Sequence, residues 1–141
     1  MPLKIIDYGS DEYRLMLQLR YEILRAPLGL QLENDDVVYD RENVLIGAFE
    51  DEKLLACCML QQYKGQILLR QMAVKNDLQR KGIGRALMNF AENIAHDMGY
   101  REISLYARKA VTGFYEKQGY KSNSDEFIRL TIPHIMMKKN I

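Results

Sequence analysis

The spacing of apolar positions along the chain changes period repeatedly, and each change predicts a new element. Residues 3–8 read as a short strand. Ser10 then offers a capping hydroxyl, and Asp11 and Glu12 place two acids at the positive end of a helix. Met16, Leu19 and Ile23 recur at helical spacing, so the helix is expected over residues 11–25, with Pro27 and Gly29 ending it. Between residues 28 and 43 no period survives. Glu33, Asp35, Asp36, Asp40 and Glu42 are opposed there only by Arg41, which reads as a loop with room for one helical turn. Residues 44–49 and 54–62 are strand-like and joined by the polar stretch 50–53, the pattern of an antiparallel hairpin. After Lys64 and Gly65 a third strand, 67–74, is apolar apart from Arg70 and Gln71.

The best-defined helix follows, because Ile83, Leu87, Phe90, Ile94 and Met98 return at steps of three or four and Gly99 stands at the left-handed cap position. A strand at 103–107, a short helix at 110–117 ended by Gly119, and strands near 120–128 and 132–138 complete the pattern. This mixture makes the chain an α/β (α+β) protein. Its 141 residues, 48% hydrophobic and 28% charged, suit one compact domain over 1–141 without repeats or linkers.

Charge and composition narrow the function. Twenty basic against 19 acidic residues leave a formal charge of +1, with no excess of cations to grip a nucleic-acid backbone. Met1, Pro2, Leu3 and Lys4 do not begin a secretory leader, and no later apolar run has membrane-spanning length, so a cytoplasmic protein without a membrane partner is expected. Cys57 and Cys58 are adjacent in a strand, point to opposite faces, and are expected to be reduced, buried thiols. His96 and His134 are far apart and far from the cysteines in sequence, so no metal site is expected.

The chemistry gathers where the strand ending at Val74 leads into the long helix: Gln79, Arg80, Lys81, Gly82, Ile83, Gly84, Arg85, Ala86. Two glycines at a helix start let the backbone approach a ligand, and the first-turn N–H groups point at an anion. Arg80, Lys81 and Arg85 add positive charge, which suits a pyrophosphate. A dinucleotide-binding turn would need a small residue where Leu87 stands, and a Walker-type loop would need Gly, Lys and Ser or Thr together. A tight strand-to-helix turn with solvated charges remains the plain alternative.

Over residues 69–120 the chain resembles the GNAT superfamily of acyl-CoA-dependent N-acetyltransferases. The likeness rests on a strand ending in Met72, Ala73 and Val74, on the Gln/Arg-x-x-Gly-x-Gly/Ala pattern at Gln79, Gly82 and Gly84, and on Phe114, Tyr115, Gly119 and Tyr120 further on. Ile132, Pro133 and His134 match a triplet found before the last strand of small bacterial members. The resemblance implies a mixed, mostly antiparallel sheet flanked by helices, with two central parallel strands splayed apart.

Into that gap, by the same resemblance, the pantetheine of acetyl-CoA lies like an added strand beside Met72 and Val74. The amides from Gln79 to Ala86 take the pyrophosphate, and a backbone N–H near Met72 or Ala73 polarises the thioester. The family counterpart of Tyr115 sits near the sulfur, where a phenol can protonate the leaving thiolate. Relatives often carry a carboxylate base on the strand that here offers Arg70 and Gln71. Asp35, Asp36, Asp40, Glu126 and His134 are therefore base candidates, with a structural hydrogen bond as the other role of His134. Arg108 and Lys109 stand where relatives have a cofactor-contacting Asn.

The expected activity is transfer of an acetyl group to a primary amine of a small molecule or peptide. The acidic loop favours a cationic acceptor, whereas Arg20 and Arg25 could hold a substrate carboxylate. The alternative is a non-catalytic acyl-CoA sensor acting through a partner protein. Homodimers are common among the relatives.

Overall fold

The computed structural model describes residues 2–79 and 81–141. Two compact units are distinguished: residues up to Gln61 with Leu69–Ala91, and Gln62–Leu68 with Glu92–Ile141.

The strands β1 (Leu3–Ile6), β2 (Val44–Glu50), β3 (Lys53–Tyr63) and β4 (Gln66–Val74) lie in that order, and the first unit holds β1, β2, β3 up to Gln61 and β4 from Leu69. β1 runs antiparallel to β2, from Leu3 opposite Ala48 to Ile6 opposite Leu45. The expected hairpin between β2 and β3 forms, and Asp51 (φ 49°) and Glu52 (φ 66°) both take the left-handed conformation that matches a tight turn to strand twist. Every residue of β3 from 54 to 60 is buried, so this strand is covered on both faces. The helix α1 (Asp11–Arg20) covers one of them: Tyr13, Met16 and Leu19 pack with Leu45, Cys57, Met59 and Ala73 in one apolar cluster. Full burial of side chains such as Met16 and Leu19 is worth about 1.5–3 kcal/mol each.

Ser10 caps α1 as expected, its Oγ accepting from the amide of Tyr13 at 3.2 Å. The α-helix ends earlier than the apolar period suggests. After Arg20 the chain widens into a π turn, Tyr21–Arg25, in which the Ala26 amide reaches back to the Tyr21 carbonyl. A 3-10 turn, Ala26–Leu28, follows and closes at Gly29 (φ 71°). Pro27, which has no N–H to donate, accounts for the break. The acidic loop contains the anticipated helical turn, α2 (Asn34–Val37), and then a 3-10 turn, Asp40–Glu42. A feature absent from the hydrophobic pattern is Gln71, a non-glycine at φ 57° inside β4.

The second unit is built on β8 (Ile132–Asn140), antiparallel to β5 (Glu102–Arg108) from Glu102 opposite Asn140 to Arg108 opposite His134. The strand expected over 120–128 is instead two short pieces, β6 (Lys121–Ser122) and β7 (Phe127–Arg129), each paired with β8. Residues 123–126, Asn-Ser-Asp-Glu, are exposed between them, and Ser124 Oγ accepts from the Met136 amide at 3.0 Å in place of a ladder bond. The helix α3 (Ile83–Asp97) starts in the first unit and ends in the second, where Gly99 (φ 101°) closes it. α4 (Thr112–Lys117) is short and ends ahead of Gly119 (φ 96°). The result is a mixed α/β fold with an open, mostly antiparallel sheet flanked by helices. Among the described residues no helix is long and apolar enough to cross a membrane.

Candidate active site

The opening of α3 has the features of an anion site. Gly82 stands at φ 81°, and a side chain built there would meet nothing within 4 Å, so the turn leaves open space above the backbone. Among the described residues the first amide bonded back along the helix is that of Ala86, to the Gly82 carbonyl at 3.1 Å, so among them the amides of Ile83, Gly84 and Arg85 precede the intrahelical ladder. The first turn carries no acid, and Lys81 and Arg85 are exposed. Ile83 turns its side chain into the core, contributing only main chain to such a site. Gln79 is engaged locally, donating to the Val74 carbonyl (3.1 Å) and to Asn76 Oδ1 (3.3 Å), which braces the 3-10 turn before the helix. Arg80 lies outside the described residues.

Met72, Ala73 and Val74 end β4. Ala73 is buried in the cluster under α1, so by alternation Met72 and Val74 face the other way. Just before them, Gln71 Nε2 donates to the Asp36 carbonyl at 2.7 Å and ties α2 to the strand.

The acidic loop and the helix arginines prove to be each other's partners. Arg25 forks onto Asp36, with Nη2–Oδ1 at 2.5 Å and Nε–Oδ2 at 3.3 Å. Burial opposes ionisation of Asp36, but hydrogen bonds from Arg25 and the Glu33 amide outweigh it and hold the carboxyl below its ordinary value. Deeper in, the fully buried side chains of Arg20 and Asp40 pair at 2.7 Å, and Tyr13 donates to the same Asp40 oxygen at 2.5 Å. Burial, then the hydrogen bond and charge of Asp40, push the Tyr13 phenol well above its usual value. Arg20 and Arg25 therefore neutralise Asp40 and Asp36, and neither arginine is presented for a substrate carboxylate. Asp35 is exposed and enters no ion pair among the described residues.

In the second unit His134 is 3% exposed, stacked on Phe127 with ring centroids 6.1 Å apart, and its Nδ1 lies 3.0 Å from the Ile132 carbonyl. Donation to that carbonyl puts the ring hydrogen on Nδ1 and leaves the lone pair on Nε2. Burial lowers the pKa, the Ile132 bond works against this, and the charges of Arg108 and Arg129 add to the lowering. Tyr115 is half-buried, edge-on to Phe114 (5.2 Å) and to Tyr120 (6.1 Å). Lys109 pairs with Glu126 at 2.7 Å, so that carboxylate is also engaged.

Cys57 and Cys58 are free and wholly buried, and desolvation pushes the Cys57 thiol to about 12 and that of Cys58 well above its ordinary value. Among the described residues no group of three or more His, Cys, Asp or Glu side chains is arranged to hold a metal. The sequence reading missed the Tyr13–Arg20–Asp40 cluster and a second polar cluster around Glu92, which is 8% exposed on α3. A signal for the latter was present, since Glu92 lies four residues after Met88 and next to Ala91 on the apolar side of the helix.

Comparison with known proteins gives this geometry a context. The chain is 29% identical over 76 residues to an uncharacterized N-acetyltransferase of Chlorobaculum tepidum, a match covering 53% of this chain and 48% of that protein. The chain thus spans about half the length of the curated relatives it matches. Among solved structures, an acyl-CoA N-acyltransferase from Pseudomonas aeruginosa superposes with a TM-score of 0.86 at 21% identity over 98% of both chains. A GNAT family acetyltransferase from Elizabethkingia anophelis with acetyl-CoA bound gives a TM-score of 0.76 at 17% identity, over 99% of this chain and 97% of that one. At these identities the structural likenesses establish the fold. The sequence model of the acetyltransferase (GNAT) domain matches residues 29–141, and the chain belongs to the GNAT family.

Proposed function

We propose that the protein transfers an acetyl group from acetyl-CoA directly to a primary amine of a small molecule or peptide. The observation that carries this reading is the opening of α3, where, among the described residues, three amides precede the helical ladder beside a glycine at φ 81° with open space above it and no acid in the turn. That donor set fits a pyrophosphate, with Arg80, Lys81 and Arg85 as cationic flanks and the main chain from Gln79 to Ala86 as the cradle. Main-chain groups at Met72, Ala73 and Val74 pair with the pantetheine arm, and an amide there donates to the thioester oxygen, as in an oxyanion hole.

When bound, acetyl-CoA supplies the activated acyl group. The chain's residues then manage two protons. An alkylammonium has a pKa near 10.4, so a proton must leave the amine before it attacks. Asp36, Asp40 and Glu126 are held in ion pairs and Asp35 is exposed on the acidic loop, and of the five candidates we assign the base role to His134. Its lowered pKa keeps the ring neutral at pH 7, with Nε2 carrying the lone pair. As the C–N bond forms and the C–S bond breaks, Tyr115 gives its phenolic proton to the departing sulfur, the role its place in the family motif suggests.

The test is release of free CoA thiol from acetyl-CoA across a panel of polyamines, amino sugars, amino acids and N-terminal peptides. Turnover on at least one amine is expected. Binding of acetyl-CoA without turnover on any of them would favour the sensor, and absence of binding would overturn both readings.

A further inference from the structure

Glu92 is nearly buried, yet both its oxygens are occupied. Oε2 accepts from the Tyr120 hydroxyl at 2.8 Å and Oε1 from the Lys139 ammonium at 2.9 Å. The same ammonium lies over the Tyr120 ring, 5.7 Å from its centroid. Tyr120 is 2% exposed and is thus held at its hydroxyl and on its face. Its ring stands edge-on to Tyr115 at 6.1 Å, and its amide donates to the Tyr115 carbonyl at 3.1 Å. Gly119 between them adopts φ 96°, and a side chain there would come within 3.3 Å of the Lys139 stem. The lysine therefore lies across the end of α4, close enough that a side chain at 119 would press it aside by a few tenths of an ångström.

We infer that Glu92, Lys139 and Tyr120 form a clamp that positions Tyr115, so that Glu92 is a positioning residue for the acid step. The inference rests on the proposed role of Tyr115. A carboxylate fixed on a long helix and a lysine fixed on β8 locate Tyr120 in two directions, and Tyr120 locates Tyr115 through ring contact and main-chain bond. A short helix of six residues has little rigidity of its own, so an external reference of this kind sets where its aromatic points. Displacing a reacting group by about 1 Å can cost up to about 100-fold in rate.

A double-mutant cycle distinguishes positioning from general support of the fold. Glu92→Gln and Tyr120→Leu should lower kcat roughly 10-fold or more while leaving the acetyl-CoA Kd within about two-fold. In a Tyr115→Phe background the same changes should lower kcat no further. Equal losses in both backgrounds would overturn the inference, since the clamp would then act on something other than Tyr115. A wild-type rate for Tyr115→Phe alone would instead sink the acid assignment. The second measurement needs no acceptor. In protein labelled with 3-fluorotyrosine, the ¹⁹F resonance of Tyr115, assigned by its loss in Tyr115→Phe, should shift or broaden in Glu92→Gln and Tyr120→Leu. An unmoved resonance in both variants would refute the clamp.

Discussion

Substituting Asp40 by Asn tests the buried polar cluster under α1 most directly. The change keeps the size of the side chain and an oxygen for the Tyr13 hydroxyl, and removes only the charge facing Arg20. Both side chains are fully buried, so the guanidinium would be left without its counter-ion in a medium where water cannot replace it. Breaking a buried pair from one side costs about 3–5 kcal/mol. For a chain of this length that corresponds to a fall in Tm of roughly 10–15 °C. The pair itself is imperfect: Arg20 Nε and Asp40 Oδ1 have no hydrogen-bond partner among the described residues. Its desolvation is thus incompletely compensated, and an apolar partner for the site should be tolerated. Arg20→Met combined with Asp40→Asn is accordingly expected to regain at least half of the lost stability. Urea unfolding of the two single variants and the double variant, with native CD spectra as control, measures the cycle. A loss below about 1 kcal/mol in Asp40→Asn, or strict additivity in the double variant, would refute the reasoning.

Gly82→Ala should cost about 1–2 kcal/mol of backbone strain at φ 81° and weaken CoA binding, because no neighbour blocks the new methyl and the effect is purely conformational. Calorimetric titration with CoA showing an unchanged Kd would detach this turn from the site. The thiols of Cys57 and Cys58 stay neutral in the folded protein beyond the pH at which unfolded thiols ionise. Their contribution is complete below pH 9 and is lost as pH rises through the folded-state values, about 12 for Cys57, so a Cys57→Ala/Cys58→Ala variant should show a shallower alkaline loss of stability in urea titrations at pH 8 to 10.5. His134, with its pKa lowered by burial, contributes stability above the unfolded value of 6.5 that disappears as pH falls through the folded one. His134→Asn should flatten the stability profile below pH 6.5 and, if His134 is the base, abolish the acid limb of kcat/KM; an intact limb would move the base elsewhere.

Local chemistry made much of this fold legible in one dimension. The Ser10 cap, the hairpin through Asp51 and Glu52, the long amphipathic helix and the glycine turn at Gly82 depend on neighbours within a few residues, so spacing and residue type were enough to place them. The family motif likewise lies in contiguous stretches of sequence. Tertiary structure decided what pairs with what. The loop acids and helix arginines suggested opposite substrates while they were only composition; folding joins Arg25 to Asp36 and Arg20 to Asp40 across 11 and 20 residues and removes both arginines from contention. The left-handed Gln71 is held by the carbonyl of Asp36, 35 residues away, and no local propensity calls for it. Glu92, Tyr120 and Lys139 come from a helix, a turn and the last strand, and their meeting depends on the approach of elements 28 and 47 residues apart. Charge and hydrogen bonding act through space, whereas periodicity records only which face of an element is apolar, and this is why such pairings appear only once the chain has folded.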